Sequence, residues 1–177
     1  MKNTSTTPEA GALFLDQPQL NGALGLAIAI DRVLFQQRSK FQDIQVVEAG
    51  GLGRMLILDG IIQAAEFDEK SYHEMLVHVP MLSHPCPENV LVIGGGDGGS
   101  LREIAKHRSV RKIDIRELDE AVIQACRQYL PSLAQGFDDP RVNIHLADGA
   151  LFASGRQAEY DVILVDCPDP VGPAKAL

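Results

Sequence analysis

The sequence predicts an α/β protein in which a small antiparallel β region precedes a parallel sheet flanked by helices. Three observations support this fold class. Short apolar segments separated by glycines and by the turn signal Asp59-Gly60 fill residues 24–69. From Ser71 onward, helical and strand patterns alternate. The apolar run Val90–Ile93 enters a glycine-rich turn that is followed at once by a helical pattern.

The first part of the chain divides into a tail and a β region. Residues 1–20 are polar and predict a loose N-terminal tail. Residues 21–69 predict a β-strand domain, because Gln42–Glu48 partly alternates polar and apolar side chains. The segment Arg54–Leu58 then leads through a hairpin turn into Ile61–Ala65.

Residues 70–177 predict a nucleoside-binding domain. A helix is expected from Ser71 to Leu82, and a second from the N-cap Asp119 to about Leu130. The predicted parallel strands are Val90–Ile93, Lys112–Arg116, Val142–Leu146 and Asp161–Val165.

An acidic residue lies at or just beyond the end of each of these strands. The carboxyl ends of parallel strands share one edge of a sheet, where ligands bind. The four acids that we expect there are Asp97, Glu117, Asp148 and Asp166. The loop Gly94–Gly99 fits both the dinucleotide pattern GxGxxG and the pattern GxGxG, and each match alone is weak. Asp97 inside the loop would repel a diphosphate, so a cationic ligand is favoured.

Composition excludes several other classes. A net charge of −8 argues against a nucleic-acid partner. The apolar run Gly22–Ile30 is too short to cross a membrane. The cysteines form no CxxC pair, which predicts reduced thiols in a cytoplasmic protein; they are Cys86, Cys126 and Cys167. We expect no metal site, because His73 and His78 are spaced poorly for one helical face.

Two groups of residues suggest a nucleoside and an amine. At the end of the second parallel strand, Glu117 can accept hydrogen bonds from two ribose hydroxyls. Asp148 can accept one from an adenine amino group, and Gly149 would allow close packing of the ring, although Asp-Gly is equally compatible with a simple turn. Asp166 can accept a proton from an amine, and Asp169 can bind a second ammonium group.

A set of motifs in one order gives the chain a family resemblance. These motifs are Phe41–Ile44, Gly53-Arg54, Leu58–Gly60, Tyr72–Met75, Gly94–Gly99, Glu117, Asp148-Gly149 and Asp166-x-x-Asp-Pro-x-Gly-Pro173. Together they resemble the spermidine synthase family of polyamine aminopropyltransferases. The resemblance implies a small N-terminal β domain and a methyltransferase-like Rossmann fold, here incomplete at its C-terminal side.

The resemblance also implies an activity. The donor would be decarboxylated S-adenosylmethionine, a co-substrate rather than a permanently bound cofactor. The acceptor would be putrescine or a similar polyamine, and the protein would be a homodimer or homotetramer. By resemblance, the nucleoside donor would contact the glycine loop at Gly94 and Gly96 and also Gln42, Glu117, Asp148, Gly149 and Pro173. The residues that would hold the diamine are Tyr72, His73, Asp97 and Asp169, while Asp166 would accept the proton.

The chain departs from the family pattern in two respects. It has Asp166-Cys-Pro-Asp169 where the family usually has Asp-Ser-Ser-Asp or Asp-Ser-Thr-Asp, so hydroxyl groups near the amine are replaced. Family members also continue well beyond this length, and we therefore expect a fragment with reduced activity. The alternatives are a non-catalytic nucleoside-binding remnant and a methyltransferase that uses ordinary S-adenosylmethionine.

Overall fold

The computed structural model of the chain describes residues 11–16, 25–154 and 156–168. These residues divide into two compact units, one ending at Phe67 and one running from Asp68 to Pro168. The boundary lies two residues before the one that the sequence predicts. The first unit contains a two-stranded and a four-stranded sheet, and the second contains a four-stranded sheet.

The first unit is an antiparallel β structure. Its strands are β1 Gly11–Asp16, β2 Gly25–Ile30, β3 Arg32–Arg38, β4 Asp43–Ala49, β5 Gly53–Leu58 and β6 Ile61–Ala65. β1 pairs with β2, and the other four form a sheet in the order β3-β4-β5-β6. Asp59 and Gly60 have φ values of 47° and 78°, the positive values that a type I′ hairpin turn needs between β5 and β6. The predicted hairpin is thus confirmed.

One prediction about this unit is wrong. Gly11–Asp16 lies within the segment predicted to be a loose tail, yet it forms strand β1. It pairs with β2 in a continuous register from Gly11↔Ile30 to Asp16↔Gly25. The physical reason is the apolar run at residues 12–15, which the polar residues around it obscured. The rest of the predicted tail lies outside the described residues.

The second unit alternates helices and strands. Its elements are α1 Glu69–Ser83, β7 Asn89–Gly94, α2 Gly99–Ala105, β8 Lys112–Glu117, α3 Glu120–Tyr129, α4 Pro131–Ala134, β9 Val142–Leu146, α5 Gly149–Ser154 and β10 Val162–Asp166. All four predicted strands are present and parallel, in the order β10-β7-β8-β9. In the part of the chain that the structure describes, no helix is both long and apolar enough to cross a membrane.

The strand order fixes where a ligand can bind. From the central strand β7 the chain moves outward through β8 to β9, and then returns to the other side of β7 to form β10. This reversal opens a crevice at the carboxyl end of β7, where ligands bind in open α/β sheets. Val90 and Val92 of β7, Ile113 and Ile115 of β8, and Leu101 of α2 are completely buried. The crevice therefore lies on a tightly packed core.

Candidate active site

The glycine loop after β7 draws three strand ends together. Gly94 has a φ of 81°, and a Cβ atom added there would lie 2.2 Å from the carbonyl oxygen of Asp166. A Cβ on Gly96 would lie 2.8 Å from Oε2 of Glu117. The Gly95 amide donates to the Asp166 carbonyl at 2.8 Å. Glycine is therefore required for the loop to contact the ends of both β8 and β10.

Asp97, His73 and Asp166 form the centre of the site. The Gly99 amide donates to Oδ1 of Asp97 at 2.6 Å, and Nε2 of His73 lies 3.3 Å from the same oxygen. One ligand atom from each of the three residues lies within 4.8 Å of the other two. Two carboxylates thus share a small, mostly buried space, an arrangement that favours a cationic ligand.

Both oxygens of Asp166 accept hydrogen bonds from hydroxyl groups. The Tyr72 hydroxyl donates to Oδ1 at 2.9 Å, and Ser100 Oγ donates to Oδ2 at 2.5 Å. Burial raises the pKa of Asp166, the charge of Asp97 raises it further, and Ser100, His73 and Tyr72 partly offset the rise. The carboxylate is therefore fixed in direction and more basic than an exposed aspartate, as a proton acceptor requires.

His73 is buried between two carboxylates. Its Nδ1 lies 2.9 Å from Oε2 of Glu69, and its Nε2 faces Asp97 at ion-pair distance without hydrogen-bond geometry. Burial opposes the charged form of the imidazole. The carboxylate of Asp97, with contributions from Glu69 and Asp166, outweighs burial and raises the pKa of His73 to about 9. The imidazole is therefore protonated at neutral pH.

Glu117 forms a second anionic position beside the glycine loop. It is 8% exposed, and its Oε1 accepts a hydrogen bond from the Asp119 amide at 2.9 Å. Burial raises the pKa of Glu117 to about 7, and the negative charges of Asp119 and Asp97 raise it further. Backbone hydrogen bonds from Asp119 and Leu118 lower the pKa and offset part of this rise. Its second oxygen faces Gly96, where the loop leaves no side chain.

At the end of β9, Asp148 and Gly149 make contacts within the chain. Asp148 is exposed, and its Oδ1 accepts the Leu151 amide at 2.9 Å at the start of α5. A Cβ on Gly149 would lie 2.5 Å from Cγ2 of Ile93, so the glycine accommodates that side chain.

Cys167, just after β10, donates from Sγ to the carbonyl of Ile93 at 3.3 Å. Burial and nearby carboxylates raise the pKa of Cys167 to about 11, which keeps its thiol protonated.

The structure brings together part of the predicted site and adds residues to it. Tyr72, His73, Asp97 and Asp166 are grouped, with Glu117 beside the same loop. Gln42 lies in the first unit, whereas Asp169 and Pro173 lie outside the described residues. Sequence reasoning missed Ser100, Glu69 and Arg102. The spacing of four between Glu69 and His73 on one helix could have revealed that pair, but nothing local indicates Arg102.

The central cluster also has the spacing of a metal site. Within the described residues, the group of histidine and carboxylate atoms close enough for an ion is His73, Asp97 and Asp166. A metal needs a neutral imidazole nitrogen, whereas these carboxylates raise the pKa of His73 to about 9. The donor set therefore suits an ammonium group better than a metal ion.

Comparison with protein families matches both units. Residues 69–177 match the family described as the spermine/spermidine synthase domain, and residues 18–66 match the spermidine synthase tetramerisation domain. The chain is 47% identical over 157 residues to the polyamine aminopropyltransferase of Methanocaldococcus jannaschii, covering 89% of this chain and 54% of the relative. It is 46% identical over 151 residues to the spermidine synthase of Dictyostelium discoideum, covering 85% of this chain and 53% of the relative.

Solved structures give the same result. A spermidine synthase crystallised with the transition-state analogue AdoDATO superposes with a TM-score of 0.89 at 41% identity, over 99% of this chain and 59% of that one. The spermidine synthase of Thermotoga maritima gives a TM-score of 0.85 at 42% identity, over 94% and 57%. The fold predicted from sequence is thus confirmed, and the chain spans little more than half the length of these relatives.

Proposed function

The chain belongs to the spermine/spermidine synthase family, and on that premise we propose that it transfers an aminopropyl group from decarboxylated S-adenosylmethionine to putrescine. The products are spermidine and methylthioadenosine. The observation that carries the proposal is Asp166, a partly buried carboxylate held by two hydroxyls beside Asp97 and His73. This arrangement lies at the sheet edge where a nucleoside donor would bind.

The acceptor must lose a proton before it can react. A primary ammonium has a pKa near that of lysine, about 10.4, and has no lone pair for attack. Asp166 takes this proton as general base. Its raised pKa makes it a stronger base than an exposed aspartate, and the hydroxyls of Tyr72 and Ser100 hold both of its oxygens in place.

The transfer itself is a displacement at carbon. The lone pair of the neutral amine attacks the methylene carbon next to the sulfonium, forming a C–N bond as the C–S bond breaks. The electron pair of the broken bond goes to sulfur, which leaves as the neutral thioether of methylthioadenosine. Because the leaving group carries no charge, positioning of the two reactants supplies much of the rate.

Each of the other site residues binds one of the two substrates. Asp97 and His73 receive the remote ammonium of putrescine, with Asp169 as a further proposed partner. Glu117 accepts from the ribose hydroxyls of the donor beside Gly96. Roles for Gln42, Gly94, Asp148, Gly149 and Pro173 at the donor follow from the family resemblance.

The assembly and location belong to the same proposal. Since residues 18–66 match the tetramerisation domain of spermidine synthases, we propose a homo-oligomer, a dimer or tetramer, formed by that region. We place the protein in the cytoplasm and give it no nucleic-acid or membrane partner.

The test is an amine panel with two donors. The chain is incubated with decarboxylated or ordinary S-adenosylmethionine and with putrescine, cadaverine or agmatine, and methylthioadenosine is quantified. We expect release that depends on putrescine and on the decarboxylated donor. Asp166→Asn should slow the chemical step by about 10²–10⁴-fold with a smaller effect on donor binding. Asp161→Asn, just before the opposite end of the same strand, is the control and should leave the chemical step unchanged.

Two results would overturn the proposal. Methyl transfer with tighter binding of ordinary S-adenosylmethionine would identify a methyltransferase. Nucleoside binding without transfer, both in this chain and in a chimera extended with the remainder of the Methanocaldococcus jannaschii relative, would identify a non-catalytic remnant.

A further inference from the structure

We propose that Glu69, held by Arg102, is a positioning residue that keeps a proton on Nδ1 of His73 and so reserves Nε2 for the remote ammonium of the acceptor. The identity of that ligand rests on the proposed function. The effect of Glu69 on His73 does not, because it is a property of the chain without any substrate.

The proposal starts from a buried chain of charged contacts. Glu69 and His73 lie one turn apart on α1, with Oε2 of Glu69 2.9 Å from Nδ1 of His73. Arg102 of α2 binds both oxygens of Glu69, through Nη1 at 3.0 Å and Nη2 at 2.8 Å. The side chains of His73, Glu69 and Arg102 are 1%, 2% and 12% exposed. Bidentate pairing of this kind fixes the orientation of a carboxylate.

The charge state of Glu69 decides which nitrogen of His73 carries the proton. Burial opposes ionisation, but the guanidinium of Arg102 and the imidazole of His73 outweigh it and hold the pKa of Glu69 below its usual value. An ionised carboxylate can only accept hydrogen bonds. Nδ1 of His73 therefore stays protonated in both charge states, and the imidazole gains or loses its second proton at Nε2.

The groups around His73 place this proton exchange at the nitrogen that faces Asp97. Nε2 of His73 is buried and has no hydrogen-bond partner within the described residues, although it lies 3.3 Å from Oδ1 of Asp97. A Cβ on Gly99 would lie 2.3 Å from Cε1 of His73, so the backbone packs closely on the ring and limits its reorientation. Among the described residues, the ionisable groups around the imidazole are Glu69 and Tyr72 on α1, Asp97 in the loop and Asp166 at the end of β10, with Arg102 on α2 acting through Glu69.

The empty and occupied sites then differ by one proton. In the empty site, the protonated imidazole neutralises part of the charge of Asp97 and Asp166. When an ammonium group enters, it supplies that positive charge, and Nε2 can release its proton and accept a hydrogen bond from the ligand. Glu69 ensures that the free lone pair appears on Nε2, the nitrogen that faces the site.

The experiment reads the protonation of His73 directly. The ¹⁵N shifts of its two ring nitrogens are followed by NMR as the pH is raised through the pKa, in the unliganded wild-type chain and in Glu69→Gln. The wild type should show a neutral ring with its proton on Nδ1. The variant should show a population with the proton on Nε2, and a lower pKa of His73, because an amide can donate as well as accept and carries no charge.

Two further variants keep the result interpretable. Glu103→Gln is the matched control, since Glu103 is a buried carboxylate that also binds Arg102, at 2.9 Å, but does not contact His73; it should leave the wild-type proton position unchanged. If Glu69→Gln fails to fold because Arg102 is left unpaired, Glu69→Gln combined with Arg102→Met removes both charges together and gives the same readout. An Nε2-protonated neutral ring in the wild type, or an unchanged ring in Glu69→Gln or in its combination with Arg102→Met, would overturn the inference.

Ligand binding separates this inference from the proposed function. Calorimetry with putrescine should show affinity reduced by roughly tenfold or more in Glu69→Gln, the scale of a hydrogen bond to a charged group. Proton release on binding, measured as a dependence of the heat on the buffer, should accompany the wild-type reaction. A chain that shows the expected proton position but binds no diamine would refute the proposed function and leave the role of Glu69 standing.

Discussion

Glu117 shows how one residue combines a structural and a binding role. Its Oε1 accepts the Asp119 amide, which helps shape the turn that starts α3. Its Oε2 faces the gap left by Gly96. Burial, the largest influence, raises the pKa of the carboxyl to about 7. The oxygen proposed to bind ribose therefore changes its charge within the physiological range of pH.

This titration predicts a pH-dependent affinity for the nucleoside. Below a pH of about 7 the protonated Glu117 is a weaker acceptor for the ribose hydroxyls. The affinity for methylthioadenosine should therefore rise with pH up to about 7 and level off above it. Calorimetry at a series of pH values measures this, and Glu117→Gln should bind more weakly with little dependence on pH. A wild-type affinity that stays constant through neutrality would contradict the role of Glu117.

The same ionisation has an effect on stability. The pKa of Glu117 is raised in the folded state, so its protonated form favours folding relative to the unfolded chain. That contribution is fully present below the ordinary glutamate pKa. It is lost as the pH rises through about 7, because the buried group must then carry a charge.

At the scale of elements, α3 depends on its N-cap residue, Asp119. Asp119 has an extended backbone and is 3% exposed, and its Oδ1 accepts the Ala121 amide at 3.1 Å. This is the N-cap that the sequence predicts. Its carboxylate also raises the pKa of neighbouring Glu117, so capping and electrostatics come from one side chain.

Two substitutions at Asp119 should separate these effects. Asp119→Ala removes the cap and should lower the free energy of unfolding by about 1 kcal/mol. Asp119→Asn preserves a capping oxygen and should cost little stability, while loss of the charge lowers the pKa of Glu117. Chemical denaturation and the pH dependence of nucleoside binding report the two quantities. Equal destabilisation by both variants would show that the charge of Asp119, rather than its cap, stabilises α3.

Elements with strong local patterns were predictable, and contacts across the chain were not. The strands β7 to β10 and the cap at Asp119 follow from apolar runs and turn residues. α5 was missed because its six residues are too few to show a helical period. The acids of the crevice were found because parallel strands end at one edge. Ser100 is 66 residues from Asp166 and Arg102 is 33 from Glu69, so only the packing of α1, α2 and β10 brings these partners together.

At the scale of the whole molecule, the second unit leaves apolar surface exposed around β10. Strands of a parallel sheet are normally covered on both faces. Ile163 and Val165, on one face of β10, are 52% and 61% exposed, whereas Leu164 on the other face is 3% exposed. A stripe on α1 is also exposed, and it consists of Tyr72, Met75, Val79 and Leu82. Surfaces of this kind mark sites of association with further polypeptide. This chain spans about half of its relatives, and the part of them outside the matched region is the candidate for covering this surface.

Paired substitutions on β10 test whether that surface is covered in a longer protein. Ile163→Thr with Val165→Thr should change the free energy of unfolding of this chain by no more than about 0.5 kcal/mol, because both side chains already face water. In the chimera extended with the remainder of the Methanocaldococcus jannaschii relative, the same pair should cost several kcal/mol, at about 1.5–3 kcal/mol for each apolar side chain that becomes buried.

Leu164→Thr is the matched control for these variants, since it lies on the same strand but is buried in this chain. It should destabilise both proteins. Denaturant titrations of the six proteins measure the effects, and aminopropyl transfer by the two wild-type forms accompanies them. If the extension covers β10 and completes the crevice, transfer should be faster in the chimera than in this chain. The Ile163 and Val165 substitutions should then remove that gain in the chimera. An extended protein that tolerates those substitutions as well as this chain does would show that the exposed face of β10 stays in water and that activity depends on some other surface.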